Sequence, residues 1–214
     1  MKIKVCGMLY KDNIKDVSAL NPDFMGFIFY PKSPRYVVGK LNPEIKESLP
    51  PSIIKTGVFV NETFENILDL AKIYDLTALQ LHGEETPQFC DRLHDLGFII
   101  IKAFRIDEHF DFNQLKSYEV SCDYFLFDTK TSAYGGSGTK FDWHILNRYN
   151  NSKPIFMSGG IGPGDESAIS DLGNLNIYAL DLNSKFETEP GLKDVNQLTT
   201  FLTNIRANEP KWDF

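Results

Sequence analysis

Cysteine is scarce in this sequence. There are three, Cys6, Cys90 and Cys122, with no CxxC spacing. That argues against a disulfide framework and a cysteine-based zinc site, and it suits a reducing compartment. Positive charge is also short: 22 Lys and Arg stand against 29 Asp and Glu, for a net charge of -7. The basic footprint of a nucleic-acid binder is missing. An anionic ligand would need a local cluster of donors acting against the global field. Long apolar runs are absent too; none approaches the ~18 residues of a membrane span. The N-terminus, MKIKVCGMLY, lacks the apolar core and cleavage site of a signal peptide. No Pro/Ser-rich linker or low-complexity tract divides the 214 residues. The expectation is a soluble, cytoplasmic protein with one domain over residues 1–214 and no membrane or nucleic-acid partner.

What is present is alternation. Short β-branched or aromatic runs begin near Ile3, Phe24, Ile54, Thr77, Phe98, Tyr124, Ile155 and Ile177. Most are near-continuously apolar, as strands covered on both faces are. Between them lie segments with helical spacing: 13–20, 43–49, 64–74, 87–96, 112–118, 143–148, 165–172 and 195–206. In Phe64–Tyr74 the residues Ile67, Leu70, Ala71 and Tyr74 fall on one stripe. Eight strand–helix units in order predict an α/β fold, a single (β/α)8 TIM barrel, at the short end of its size range. A doubly wound open sheet is the alternative, but the glycine-rich turn expected after its first strand is missing.

In such a barrel the active site lies where strands end and βα loops begin. Those ends are rich in polar and reactive residues. Strand one ends at Cys6-Gly7, and the second leads into Tyr30-Pro31-Lys32-Ser33-Pro34-Arg35. Strand four ends Gln80-Leu81-His82, and strand six ends Asp128-Thr129-Lys130 before Tyr134-Gly135-Gly136-Ser137-Gly138-Thr139. The last two end Ser158-Gly159-Gly160 and Asp181-Leu182-Asn183-Ser184. Glycine turns after strand seven, with the strand-eight end, suit a phosphate, although SGG alone is also an ordinary turn. The YGGSGT loop reads as a lid. Arg35 between Pro34 and Tyr36 offers a planar fork for a carboxylate, although an isolated arginine is more often a surface residue. His82 suits substrate contact or proton shuttling, and a structural histidine as well. Asp128, recessed among Phe125 and Phe127, would have its pKa raised and serve as a general acid. Asp142, just before Trp143, reads as a helix cap. Cys6 could take a proton from carbon as a thiolate, and Lys4, two residues back on the same face, is expected to favour that thiolate. Cys90 and Cys122 read as inert packing or surface thiols.

KVCGM, GFIFYPKSPRYV, GVFVN, LQLHG, FDTK with YGGSGT, SGGI and ALDLNSKFETEPGLKD occur in this order. Together they resemble the phosphoribosylanthranilate isomerase family of tryptophan biosynthesis, from Lys2 to about Asp194. The resemblance implies a (β/α)8 barrel and an Amadori rearrangement of N-(5-phosphoribosyl)anthranilate, a small phosphosugar substrate, without cofactor or metal, by a monomer. It implies Asp128 as general acid and Cys6 as general base. It implies Arg35 at the anthranilate carboxylate, and Gly159, Gly160 and the strand-eight residues Asp181, Asn183 and Ser184 at the phosphate. His82 joins the substrate-binding group. The chain departs from the family's usual Asp-x-Ser-Ser-Gly at Asn183 and Lys185, and Lys185 adds charge that could serve the phosphate. Leu9 stands where a polar residue often follows. The histidine-pathway sugar isomerase resembles this chain in fold but carries aspartate where Cys6 stands. Indole-glycerol-phosphate synthase would carry an extra N-terminal helix and a lysine–glutamate set. A non-catalytic phospholigand-binding protein is a further alternative, and the presence of both Cys6 and Asp128 weighs against it.

Overall fold

The computed structural model describes residues 1–129, 142–172 and 175–207. Eight parallel strands close on one another: β1 (Lys2–Val5), β2 (Phe24–Ile28), β3 (Ile54–Phe59), β4 (Ala78–Leu81), β5 (Ile99–Ile106), β6 (Tyr124–Thr129), β7 (Ile155–Met157) and β8 (Ile177–Leu182). Each pairs with its successor, and β8 closes on β1 with Lys4 opposite Asp181. The α-helices are α1 (Lys11–Ser18), α2 (Phe64–Tyr74), α3 (Pro87–His94), α4 (Glu166–Ser170) and α5 (Val195–Ala207). The anticipated stripe on α2 is buried, and Thr63 caps that helix by accepting from Asn66 N.

The connections Pro43–Ser48, Phe112–Tyr118 and Trp143–Arg148 read as helices and fold as 3₁₀ segments. They are six or seven residues long, longer than most runs of the tighter helix. Asp142 caps the last of them, accepting from His144 N at 3.0 Å.

Strand periodicity sorts the apolar residues into two cores. Phe59, Phe125, Phe127 and Leu180 belong to the large cluster between strands and helices. Phe24, Ile101, Ala103, Leu126, Phe156 and Ala179 form a second cluster inside the barrel. There Phe24 and Phe156 meet edge to face at 5.1 Å, and Tyr124 stacks on Tyr178 at 4.5 Å. This plug fills the barrel floor. The next inward positions on the same strands are Gly26, Asp128, Ser158 and Asp181, so the polar layer falls at the C-terminal mouth.

One element was not anticipated. After β8 a short 3₁₀ turn, Ser184–Phe186, leads into a hairpin of β9 (Glu187–Glu189) and β10 (Leu192–Lys193). Asn13 of α1 clamps it, donating to Lys193 O at 2.9 Å and accepting from Lys193 N at 2.8 Å.

Candidate active site

A cavity of about 200 Å³ opens at the C-terminal mouth of the barrel. All nine residues singled out from the sequence line it: Cys6, Arg35, His82, Asp128, Gly159, Gly160, Asp181, Asn183 and Ser184. Six different strand ends supply them, so only barrel closure brings them together. The loop 134–139 and the tail 208–214 lie outside the described residues.

Cys6 is 3 % exposed. Its sulfur is seated against Gly26 of β2, where a Cβ would lie only 2.6 Å from Sγ. Gly7 follows Cys6 at the strand end. Its φ is +77°, and a Cβ there would meet Arg35 Cδ at 2.6 Å and Asn183 Oδ1 at 2.7 Å. The glycine therefore lets the Arg35 stem and Asn183 pack against the strand end.

Lys4 is fully buried, and its ammonium donates to Asp181 Oδ1 at 2.7 Å and to Gln80 Oε1 at 2.6 Å. Burial pulls its pKa down, but the attraction of Asp181 and Cys6 outweighs this and leaves it raised. Lys4 does favour the Cys6 thiolate, as expected. Burial of the sulfur is the larger effect, however, and with Asp181 beside it the thiol is pushed up. Cys6 therefore rests as a thiol, even though Lys4 acts on it in the expected direction.

Gln80 continues the chain of bonds. A lysine can only donate, so the amide oxygen must face Lys4 and the amide nitrogen must face His82 Nδ1, at 2.8 Å. Nδ1 then accepts, and the neutral ring carries its proton on Nε2. Nε2 lies 3.3 Å from Asp128 Oδ2 but lacks hydrogen-bond geometry to it. The other Asp128 oxygen accepts from Thr129 N at 2.8 Å. A polar chain thus runs from Asp181 through Lys4, Gln80 and His82 to Asp128. The loop after β4 is fixed from behind by buried Lys102, which donates to Leu81 O, Gly83 O and Glu85 Oε2.

Phe125 and Phe127 are not what recesses Asp128. They alternate with it along β6 and point into the outer core, whereas Asp128 follows Leu126 on the inner face. Its apolar floor is the Leu126 and Phe156 layer.

Arg35 is 7 % exposed and lines the cavity. Its Nε and Nη2 donate to Glu187 of β9 at 2.9, 3.1 and 2.5 Å. Lys193 of β10 donates to Glu187 Oε1 at 2.6 Å and to Asn183 Oδ1 at 2.8 Å. Burial lowers the Lys193 pKa to about 8 against the pull of Glu187. The glycine turn after β7 presents Gly159 and Gly160, both with positive φ, to the same cavity. Lys185 is exposed, with its stem over Gly162. Among the described residues, no group of three or more His, Cys, Asp or Glu is placed to hold a metal ion, and no helix is long and apolar enough to cross a membrane.

Sequence reasoning missed Gln80, Glu187 and Lys193 as site residues. Gln80 carried a signal, being a polar residue two before His82 in an apolar strand and so on the same face. Glu187 and Lys193 carried none in periodicity, because their hairpin was not foreseen.

Fold and mouth together define a class: a (β/α)8 protein with a thiol, carboxylates, an arginine and a glycine turn around one small cavity. Comparison with known proteins narrows it. Residues 3–204 match the family described as N-(5'phosphoribosyl)anthranilate (PRA) isomerase. An N-(5'-phosphoribosyl)anthranilate isomerase of Parabacteroides distasonis is 45 % identical over 208 residues, covering 96 % of this chain and 93 % of that protein. The crystal structure of phosphoribosyl anthranilate isomerase from Thermotoga maritima superposes with a TM-score of 0.83 at 37 % identity, covering 97 % and 99 % of the two chains. A phosphoribosyl anthranilate isomerase solved with reduced 1-(o-carboxyphenylamino)-1-deoxyribulose 5-phosphate gives 0.82 at 32 % identity and the same coverage. The chain belongs to the N-(5'-phosphoribosyl)anthranilate isomerase family.

Proposed function

We propose that this chain isomerises N-(5-phosphoribosyl)anthranilate to 1-(2-carboxyphenylamino)-1-deoxyribulose 5-phosphate in tryptophan biosynthesis, with Asp128 as acid and Cys6 as base. Asp128 protonates the furanose ring oxygen, and the C1–O bond opens to a Schiff base. The Cys6 thiolate removes the proton from C2 and leaves an enolamine. The enolamine tautomerises to the aminoketose, so no atoms are gained or lost.

The observation that supports this reading most is that Cys6 and Asp128, distant in sequence, face one cavity that also carries an arginine and a glycine turn. The two anionic ends of the substrate then have separate receptors. Arg35 takes the anthranilate carboxylate. Gly159, Gly160 and the β8 end with Asn183 and Ser184 take the phosphate. Because the Asn183 oxygen accepts from Lys193, its amide nitrogen is the donor left for substrate. Only the minority thiolate can accept the C2 proton, and Lys4 and Lys193 are the cations that favour it. We read the protein as a cytoplasmic monomer, in keeping with its net charge of -7; a dimer in light scattering would count against this.

The test is direct. Substrate is formed in situ and its fluorescence decay is followed with wild type, Cys6→Ala and Asp128→Asn. Fast decay in wild type, with a loss of about 10²-fold or more in each variant, is expected. Fast decay that survives Cys6→Ala would remove Cys6 as the base.

A further inference from the structure

Arg35 does not reach the cavity alone. Of the five N–H groups of a guanidinium, Glu187 engages the Nε proton and one on Nη2, the side edge of the fork. The outer edge, formed by Nη1 and the second Nη2 proton, lies outside that contact. Arg35 borders the cavity and Glu187 does not. The Glu187 carboxylate is also fully engaged: Oε1 accepts from Arg35, from Lys193 and from Gly191 N at 3.1 Å, and Oε2 accepts from Arg35. Burial acts to raise its pKa, but the bonds from Arg35 and Lys193 outweigh this and keep it ionised. The hairpin bearing it is clamped to α1 through Asn13. One carboxylate therefore serves two cations, and an incoming anion would supply the missing negative charge.

We propose that Glu187 is a positioning residue for substrate specificity: it grips the side edge of Arg35 so that the outer edge is held toward the cavity as the receptor for the substrate's aromatic carboxylate. The proposal rests on the reading of Arg35 as that receptor. An arginine free to rotate would have to be ordered on each binding event. Held by Glu187, it meets a carboxylate with two parallel N–H groups already aligned. Lys193, paired to the same oxygen and to Asn183, links this receptor to the β8 end, so the two anion sites share one scaffold.

The alternative role for Glu187 is that of a competitor, an internal carboxylate that the substrate must displace. The two roles predict opposite signs. Two substrates separate them: the anthranilate adduct of ribose 5-phosphate, and the aniline adduct, which lacks only the carboxylate. Product ketose is measured by chromatography for wild type, Glu187→Gln, Arg35→Met and the double variant. A neutral amide presents an N–H₂ where Arg35 needs an acceptor. Glu187→Gln should therefore raise KM for the anthranilate substrate by about tenfold or more, the scale of a charge-assisted pair. Its kcat should change by less than about threefold, and it should leave KM for the aniline substrate unchanged. Added to Arg35→Met it should have no further effect, because the group it positions is gone. Glu187→Asp keeps the charge but withdraws it by one methylene, so it should raise KM in the same direction even if the glutamine variant folds poorly. A KM that stays level or falls in Glu187→Gln, while Arg35→Met raises it, overturns the positioning role. If Arg35→Met affects the two substrates equally, the carboxylate reading of Arg35 itself fails, and this inference fails with it.

Discussion

Lys4→Met tests the polar chain at its root. The ammonium is fully buried beside Cys6 and donates to Asp181 at 2.7 Å and to Gln80 at 2.6 Å. Methionine keeps the apolar stem and removes the ammonium, leaving the Asp181 carboxylate buried without its cation. Breaking a buried pair from one side costs about 3–5 kcal/mol, set against a typical total stability of ~5–15 kcal/mol. The variant should fold, with a urea midpoint well below that of wild type at pH 7. The pH dependence has a fixed sign. The folded pKa of Lys4 is raised above 10.5, so its stabilisation is complete below that value and is lost as pH climbs through the folded pKa. The gap between wild type and variant should therefore hold at pH 7 and close above about pH 10.5. Adding Asp181→Asn removes the stranded charge and should recover part of the loss. A second readout concerns Cys6, whose thiolate Lys4 favours. Iodoacetamide labelling of the Cys6 peptide, followed by mass spectrometry against pH, should shift to higher pH in the variant. A stability cost below about 1 kcal/mol, the range of exposed pairs, would refute the energetic argument. An unchanged labelling profile would refute the link from Lys4 to Cys6.

Other consequences are simpler to state. Gly26→Ala places a methyl 2.6 Å from Cys6 Sγ; it should cost about 1–3 kcal/mol through overpacking and lower kcat, and an unchanged kcat would mean that Gly26 does not seat the thiol. Gln80→Leu removes the donor to His82 Nδ1; ¹⁵N NMR should show the Nε2–H tautomer in wild type and a mixture in the variant, with kcat reduced roughly ten- to a hundredfold by loss of alignment. Lys193 has its pKa lowered from 10.5 to about 8, so between these values the unfolded chain binds more protons and stability contributed by this group rises with pH. The stability of wild type relative to Lys193→Met should therefore increase by roughly 2 kcal/mol from pH 8 to pH 10, and a flat difference in urea unfolding would contradict that shift.

The order of strands and helices was legible in the sequence because local hydrophobic spacing carries it. The stripe of Ile67, Leu70, Ala71 and Tyr74 on α2 depends only on the 3.6-residue repeat. The strand ends were legible for the same reason: apolar runs stop where Cys6, Asp128 and Asp181 begin, and all three line the cavity. Signals that depend on which face a residue takes were read less well. Phe125 and Phe127 were placed around Asp128 although strand alternation sends them the other way. Three connections read as helices fold as 3₁₀ segments, because apolar spacing over six or seven residues does not resolve a 3.6-residue repeat from a 3.0-residue one.

What the sequence determined by itself was the fold and which polar residues stand at the strand ends, since both are written in local pattern and residue type. What only the tertiary structure decided was how those groups are held. The resting thiol of Cys6 follows from the balance between burial and two buried ammonium groups. The tautomer of His82 follows from Gln80, whose orientation follows from Lys4, 76 residues away along the chain. The grip on the side edge of Arg35 comes from Glu187, 152 residues away. Barrel closure and one short hairpin create those contacts, and no local pattern encodes a distance across a barrel mouth.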